Sequence, residues 1–124
     1  MDRRFSTSSL PEGVPSSPRQ YLREVLPSLI NPKLFGERGV VQFLVIDDQQ
    51  ADHFLTITPK GVHPQPGRAT QPELTLAFLG DDLLAFARGE LDVDRALGDR
   101  RLRIYGNEEL LLRLASALRS TVAQ

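Results

Sequence analysis

Catalysis needs reactive side chains that converge, and this chain supplies few. Its two histidines, His53 and His63, have no Asp or Glu at metal-ligand spacing, so they read as solvent-facing residues of a strand end and a turn. Asp47 and Asp48 sit in a polar hairpin turn that solvates them. Asp81 and Asp82 open a helix, where carboxylates suit the positive N-terminus. No Ser, His and Asp stand in a nucleophile elbow. The string GERG (36–39) lacks the Lys-Ser/Thr of a phosphate loop. There is no cysteine, which removes disulfides, thiol catalysis and thiolate metal sites. The chain therefore does not read as an enzyme, and no catalytic residue, metal or cofactor is expected.

Two other features invite a binding role. Arg100 and Arg101 precede a strand. They are either two solvated charges or an anion anchor at a pocket mouth, holding a lipid headgroup. The second feature is an excess of leucine. Leu110, Leu111, Leu112, Leu114 and Leu118 cannot share one narrow helical stripe, and Leu83, Leu84, Phe86 and Ala87 make a second wide apolar face. These faces either cover a sheet as an ordinary core or stand off it around an apolar cavity. Such a cavity would gain about 0.8 kcal/mol per methylene of a bound chain. Left empty, it would cost on the order of 24 cal/mol per Å³.

Composition narrows the setting. The chain has 124 residues, 40% of them hydrophobic and 25% charged, which suits one folded domain. A net charge of −1 gives no footprint for nucleic acid or an anionic membrane. No run of 18 apolar residues crosses a bilayer, and no secretory or lipidation signal is recognisable, so a cytoplasmic protein is expected.

The elements that position these residues follow from periodicity. Residues 1–17 are rich in Ser, Pro and Gly and are expected to form a disordered arm, followed by a domain over 18–124. Ser17 reads as an N-cap with Pro18 at the first helical position; Tyr21, Leu22, Val25 and Leu26 keep helical spacing, and Pro27 stops or kinks the helix. Alternation predicts strands over 40–47, 53–58, 73–79 and 101–105. In the first, Val41, Phe43 and Val45 face the core and Gln42 marks a wetter side. The inward face of the second is ambiguous, because Phe54 competes with Leu55 and Ile57. Asp81, Asp92 and Asn107 are expected to cap three later helices. The order α, β, β, β, α, α, β, α implies an α+β fold, with helices laid on one face of a mainly antiparallel sheet.

The segment from GVVQF to LASAL resembles the sterol carrier protein 2 (SCP2) sterol-binding domain family. Gly39-Val40-x-Gln42-Phe43 opens its first strand. PELTLAFLGDDLLAFARGELDVDRAL matches a strand, a short helix, G-x-L-(D/N) and a second short helix; RLRIYGN matches K-L-K-I-x-G-(D/N) before a leucine-rich helix. The resemblance implies a five-stranded sheet covered on one face by helices, the fifth strand falling at 61–66. It also implies a non-enzymatic carrier that holds a sterol, fatty acyl chain, phospholipid or isoprenoid quinone in an apolar tunnel between sheet and helices. By position, the lining residues would be Phe43, Val45, Leu76, Phe78, Leu83, Leu84, Phe86, Leu97, Leu110, Leu111 and Leu114. The headgroup candidates are Arg100 and Arg101.

One departure stands out. The family usually has glycine where this chain has Arg100, and RRL-x-I-x-G-x-x-EL is similar to bacterial SCP2-type accessory proteins of ubiquinone biosynthesis. That subgroup implies an alternative role, presenting prenylated intermediates or recruiting biosynthetic enzymes as an adaptor. The expected partners are a lipid or other hydrophobic small molecule, with transient contact to a membrane or an enzyme complex, and no nucleic acid.

Overall fold

A computed structural model describes residues 17–118. The expected arm over 1–17 lies, apart from Ser17, outside the described residues. Ser17 caps the first helix: its Oγ accepts the Gln20 N–H at 3.1 Å. The chain then runs through α1 (Pro18–Gln20), a π turn (Tyr21–Val25) and α2 (Leu26–Leu29). Pro27 does not stop the helix. It has no N–H to donate, and the widened turn before it carries the Leu26 N–H back to the Tyr21 carbonyl, so helical structure continues to Leu29. Asn31 then caps the short α3 (Pro32–Phe35).

Five strands form one sheet among the described residues: β1 (Gly39–Val45), β2 (His53–Thr58), β3 (Gly61–Pro66), β4 (Leu74–Phe78) and β5 (Leu102–Gly106). Their order is β3-β2-β1-β4-β5, with β1 and β4 parallel and the other neighbours antiparallel. The fold class is α+β, with a mixed, mostly antiparallel sheet. β3 carries two prolines, and only an edge strand tolerates them. Their spacing of two puts both imide nitrogens on the side away from β2.

Register settles which residues face the core. Val41, Phe43 and Val45 lie in rows with Leu74, Leu76 and Phe78, while Leu55 pairs with Val41 and His53 with Phe43. That face is covered by Tyr21, Leu22 and Leu26 from the first helical run, Leu83 from α4 (Gly80–Ala87), Ala96 from α5 (Val93–Gly98), and Leu110, Leu114 and Ala117 from α6 (Glu108–Ala117). Phe54 falls on the opposite face, half-buried. Gln42 is there too, but it is not on a wet surface. The loop after β3 folds over it: its Nε2 donates to the His53 and Gly67 carbonyls, and its Oε1 accepts the Ala69 N–H at 2.7 Å.

Asp92 and Asn107 cap α5 and α6. Asp81 does not cap α4. The helix starts one residue earlier, and the Gly80 N–H donates to Asp47 Oδ1 at 2.8 Å, so the β1–β2 turn supplies the capping carboxylate. Two glycines permit close approaches that the motifs require. A Cβ on Gly39 would stand 2.9 Å from the Phe35 ring, and one on Gly106, at φ +106°, only 2.5 Å from the Glu73 carbonyl oxygen. No helix among the described residues is long and apolar enough to cross a membrane.

Candidate functional site

The apolar residues nominated from the sequence divide into a buried group and a rim. Phe43, Val45, Leu76 and Phe78 form two rows across β1 and β4, and all four are buried. Leu83 reaches them from α4, and the Phe86 ring lies 5.9 Å from that of Phe78 while remaining half-buried. Leu84 is half-buried on the same helix. On α6, Leu110 and Leu114 point inward, Leu111 is partly covered, and Leu112 is 69% exposed. The leucine excess thus resolves into an inward stripe, two partly covered residues, Leu111 and Leu118, and one outward residue.

Leu97 sits elsewhere, at the edge of the sheet. It joins Arg100, Leu102, Arg103, Ile104 and Tyr105 around an open cleft of about 460 Å³ along β5. Leu102 and Ile104 pair with Phe78 and Leu76, so they lie on the helix-covered face, and Ile104 is only partly covered there. Arg103 and Tyr105 come from the opposite face of the same strand. The apolar interior therefore reaches solvent beside a polar lip.

The two headgroup candidates part company. Arg100 lines the cleft, at φ +62°. Its carbonyl accepts from Arg103 Nε at 3.3 Å, which folds the second arginine toward it. Arg101 is engaged within the fold: Nη1 lies 3.2 Å from Asp82 Oδ1, and Nε lies 3.7 Å from Asp99 Oδ2. The positive φ also accounts for the glycine that the resemblance places at this position, since an L-residue there carries backbone strain.

A second pocket was not foreseen. His53 is not solvent-facing: it is 1% exposed, because strand alternation puts it on the same side as Leu55 and Ile57. That alternation was the available signal. Its Nδ1 lies 2.8 Å from the Ala51 carbonyl, and among the described residues its Nε2 has no partner. His53 lines a cleft of about 290 Å³ with Arg19, Arg23, Pro64 and Pro66. His63, by contrast, is exposed on β3. Close by, burial pushes the Tyr21 phenol well above its ordinary range. Among the described residues no three His, Asp or Glu side chains group to hold a metal ion.

Comparisons with known proteins bear on this geometry. Residues 30–119 match the family model described as the SCP-2 sterol transfer family. No curated protein sequence matches the chain. Among solved structures, a stereoselective inverting sec-alkylsulfatase, Pisa1 from Pseudomonas sp., superposes with a TM-score of 0.67 at 17% identity, over 82% of this chain and 16% of that one. The chain therefore spans about a sixth of the sulfatase's length. Sterol carrier protein domain 2 of Helicoverpa armigera gives 0.57 at 20% identity, over 78% of this chain and 79% of that one. A ubiquinone synthesis protein, UbiJ-SCP2, gives 0.55 at 15% identity, over 80% and 84%. At these identities the likeness is one of fold.

Proposed function

Because this chain belongs to the SCP-2 sterol transfer family, we propose that it is a non-enzymatic carrier that takes the apolar tail of a lipid between its sheet and its helices. The observation that supports this reading is the cleft along β5. It is where the helix-covered face meets solvent, and its lip carries Leu97 and Arg100. A tail would enter past Leu97, Leu102 and Ile104 and displace helix contacts made by Phe86 and Leu111. Ten buried methylenes would contribute about 8 kcal/mol before the costs of association, enough for useful affinity. Arg100 would hold an anionic headgroup at the lip by a charge-assisted hydrogen bond. An isoprenoid tail, presented to an enzyme rather than shuttled, is the second reading. It is favoured by an arginine at the usual glycine position and by the fold of UbiJ-SCP2.

Retention of a fluorescent fatty acid tests the site. Phe86→Asp places a charge against Phe78 and should weaken retention at least tenfold, whereas Leu112→Asp, on the exposed side of α6, should leave it unchanged. Leu97→Asp, at an already 38% exposed position that tolerates a polar residue, should weaken retention while the melting transition stays intact. Unchanged retention in both Phe86→Asp and Leu97→Asp would overturn the proposal.

A further inference from the structure

The cleft around His53 lies toward the other end of the sheet from β5: two strands stand between β2, which carries His53, and β5, or ~14 Å at the usual strand spacing. Its geometry poses an electrostatic question that a lipid tail does not answer. A carbonyl oxygen only accepts hydrogen bonds, so the 2.8 Å contact to Ala51 places a proton on His53 Nδ1. In the neutral ring, Nε2 then presents a lone pair, buried and unpaired. Buried polar atoms are nearly always partnered, and an orphan calls for an occupant.

The walls name its charge. Arg19 and Arg23 border the cleft from the first helical run, and among the described residues neither makes an ion pair or hydrogen bond. The nearest buried carboxylate in sequence, Asp52, is already committed. Its Oδ1 accepts the Val45 N–H at 2.8 Å, and its Oδ2 pairs with Arg68 at 3.1 Å. Glu24 is exposed and outside the lining. Pro64 and Pro66 close the remaining side with apolar surface and no N–H. The cleft thus offers two guanidinium groups for acceptor oxygens and one imidazole nitrogen for a donor.

We propose that this cleft binds a phosphate that retains one O–H, either free phosphate or the phosphomonoester headgroup of a lipid. Its charged oxygens take the arginine N–H groups, which match oxyanion geometry, and its remaining O–H donates to His53 Nε2. A fully deprotonated oxyanion such as sulfate leaves Nε2 unpaired, so the site discriminates between two anions of similar size. A free imidazole is mostly neutral above about pH 6.5, and inorganic phosphate still carries an O–H near neutrality, so the discrimination is read with inorganic phosphate at about pH 7.0.

Calorimetric titration of the full chain at pH 7.0 with inorganic phosphate, sulfate and short-chain dihexanoyl phosphatidic acid tests this. Phosphate should bind at least tenfold more tightly than sulfate. Arg19→Ala/Arg23→Ala, at exposed positions that leave the core intact, should weaken phosphate at least tenfold without lowering the melting temperature. His53→Phe, which keeps a ring in the site and removes the acceptor, should erase the preference for phosphate over sulfate. If phosphatidic acid binds more tightly than phosphate and phosphate displaces it, the headgroup is the occupant. If the two bind equally, free phosphate is. No saturable phosphate binding at millimolar concentrations, or binding unaffected by the double arginine variant, overturns the proposal.

Discussion

Replacing Arg100 by glycine should make the protein more stable and a poorer binder of anionic lipid. Arg100 is the one non-glycine residue with a positive φ among those described, at +62°. An L-residue in the left-handed region costs roughly 1–2 kcal/mol, and glycine there carries no such cost. Glycine loses more backbone freedom on folding, which offsets about 0.5–1 kcal/mol. The net gain is up to about 1.5 kcal/mol. A domain of this size moves by roughly 4–8 °C per kcal/mol, so the melting temperature should rise by up to about 12 °C. The same change removes the exposed guanidinium from the lip of the β5 cleft. An exposed charge contact is worth up to ~1 kcal/mol, so affinity for a fatty acid should fall about three- to fivefold at low salt. Affinity for an uncharged sterol should not change. Calorimetric melting and competitive displacement of a fluorescent lipid give the two readings. A lower melting temperature would rule out backbone strain at Arg100, and equal losses for the acid and the sterol would rule out its hold on the headgroup.

Other perturbations test the scaffold. Tyr21 keeps its proton in the folded state well above the ordinary phenol value near 10, because burial penalises the phenolate. Above pH 10 the unfolded chain ionises while the folded one does not, so stability should fall by up to about 1.4 kcal/mol per pH unit. Urea midpoints between pH 9 and 11 should show this extra slope in the wild type and not in Tyr21→Phe. Gly106→Ala forces a Cβ against the Glu73 carbonyl at a positive φ and should cost about 2–5 kcal/mol by denaturant unfolding. Gly36→Ala, also at positive φ but with open space around it, should cost only the backbone strain of about 1–3 kcal/mol.

The sequence revealed the sheet more readily than the site. Alternation in VVQFLV and LTLAF exposed the core rows because one face of each strand is uniformly apolar. HFLTIT was ambiguous because Phe54 is large and apolar yet lies on the outer face. Only pairing with β1 decides it, and pairing is a long-range property. GVHPQP does not read as a strand from its own residues, since two prolines are compatible with pairing only at an edge. The π turn before Pro27 and the Asp47 cap on α4 depend on hydrogen bonds that no local pattern encodes. The separation of Arg100 from Arg101 was equally hidden. Adjacent residues look alike until Asp82 and Asp99 take one of them. His53 shares the parity of Leu55 and Ile57, so its burial was hidden with theirs until pairing with β1 fixed the inward face, and it read as solvent-facing instead. Arg19 and Arg23 gained interest only once the fold set them beside it.

Whether the interior of this fold receives a lipid is decided by purifying the protein without detergent, extracting it with organic solvent and identifying the extract by mass spectrometry. A hydrophobic molecule approaching one per chain is expected, whose removal lowers the melting temperature and whose return restores it. A protein that emerges empty, melts cooperatively and is not stabilised by any added fatty acid, sterol or quinone would contradict it.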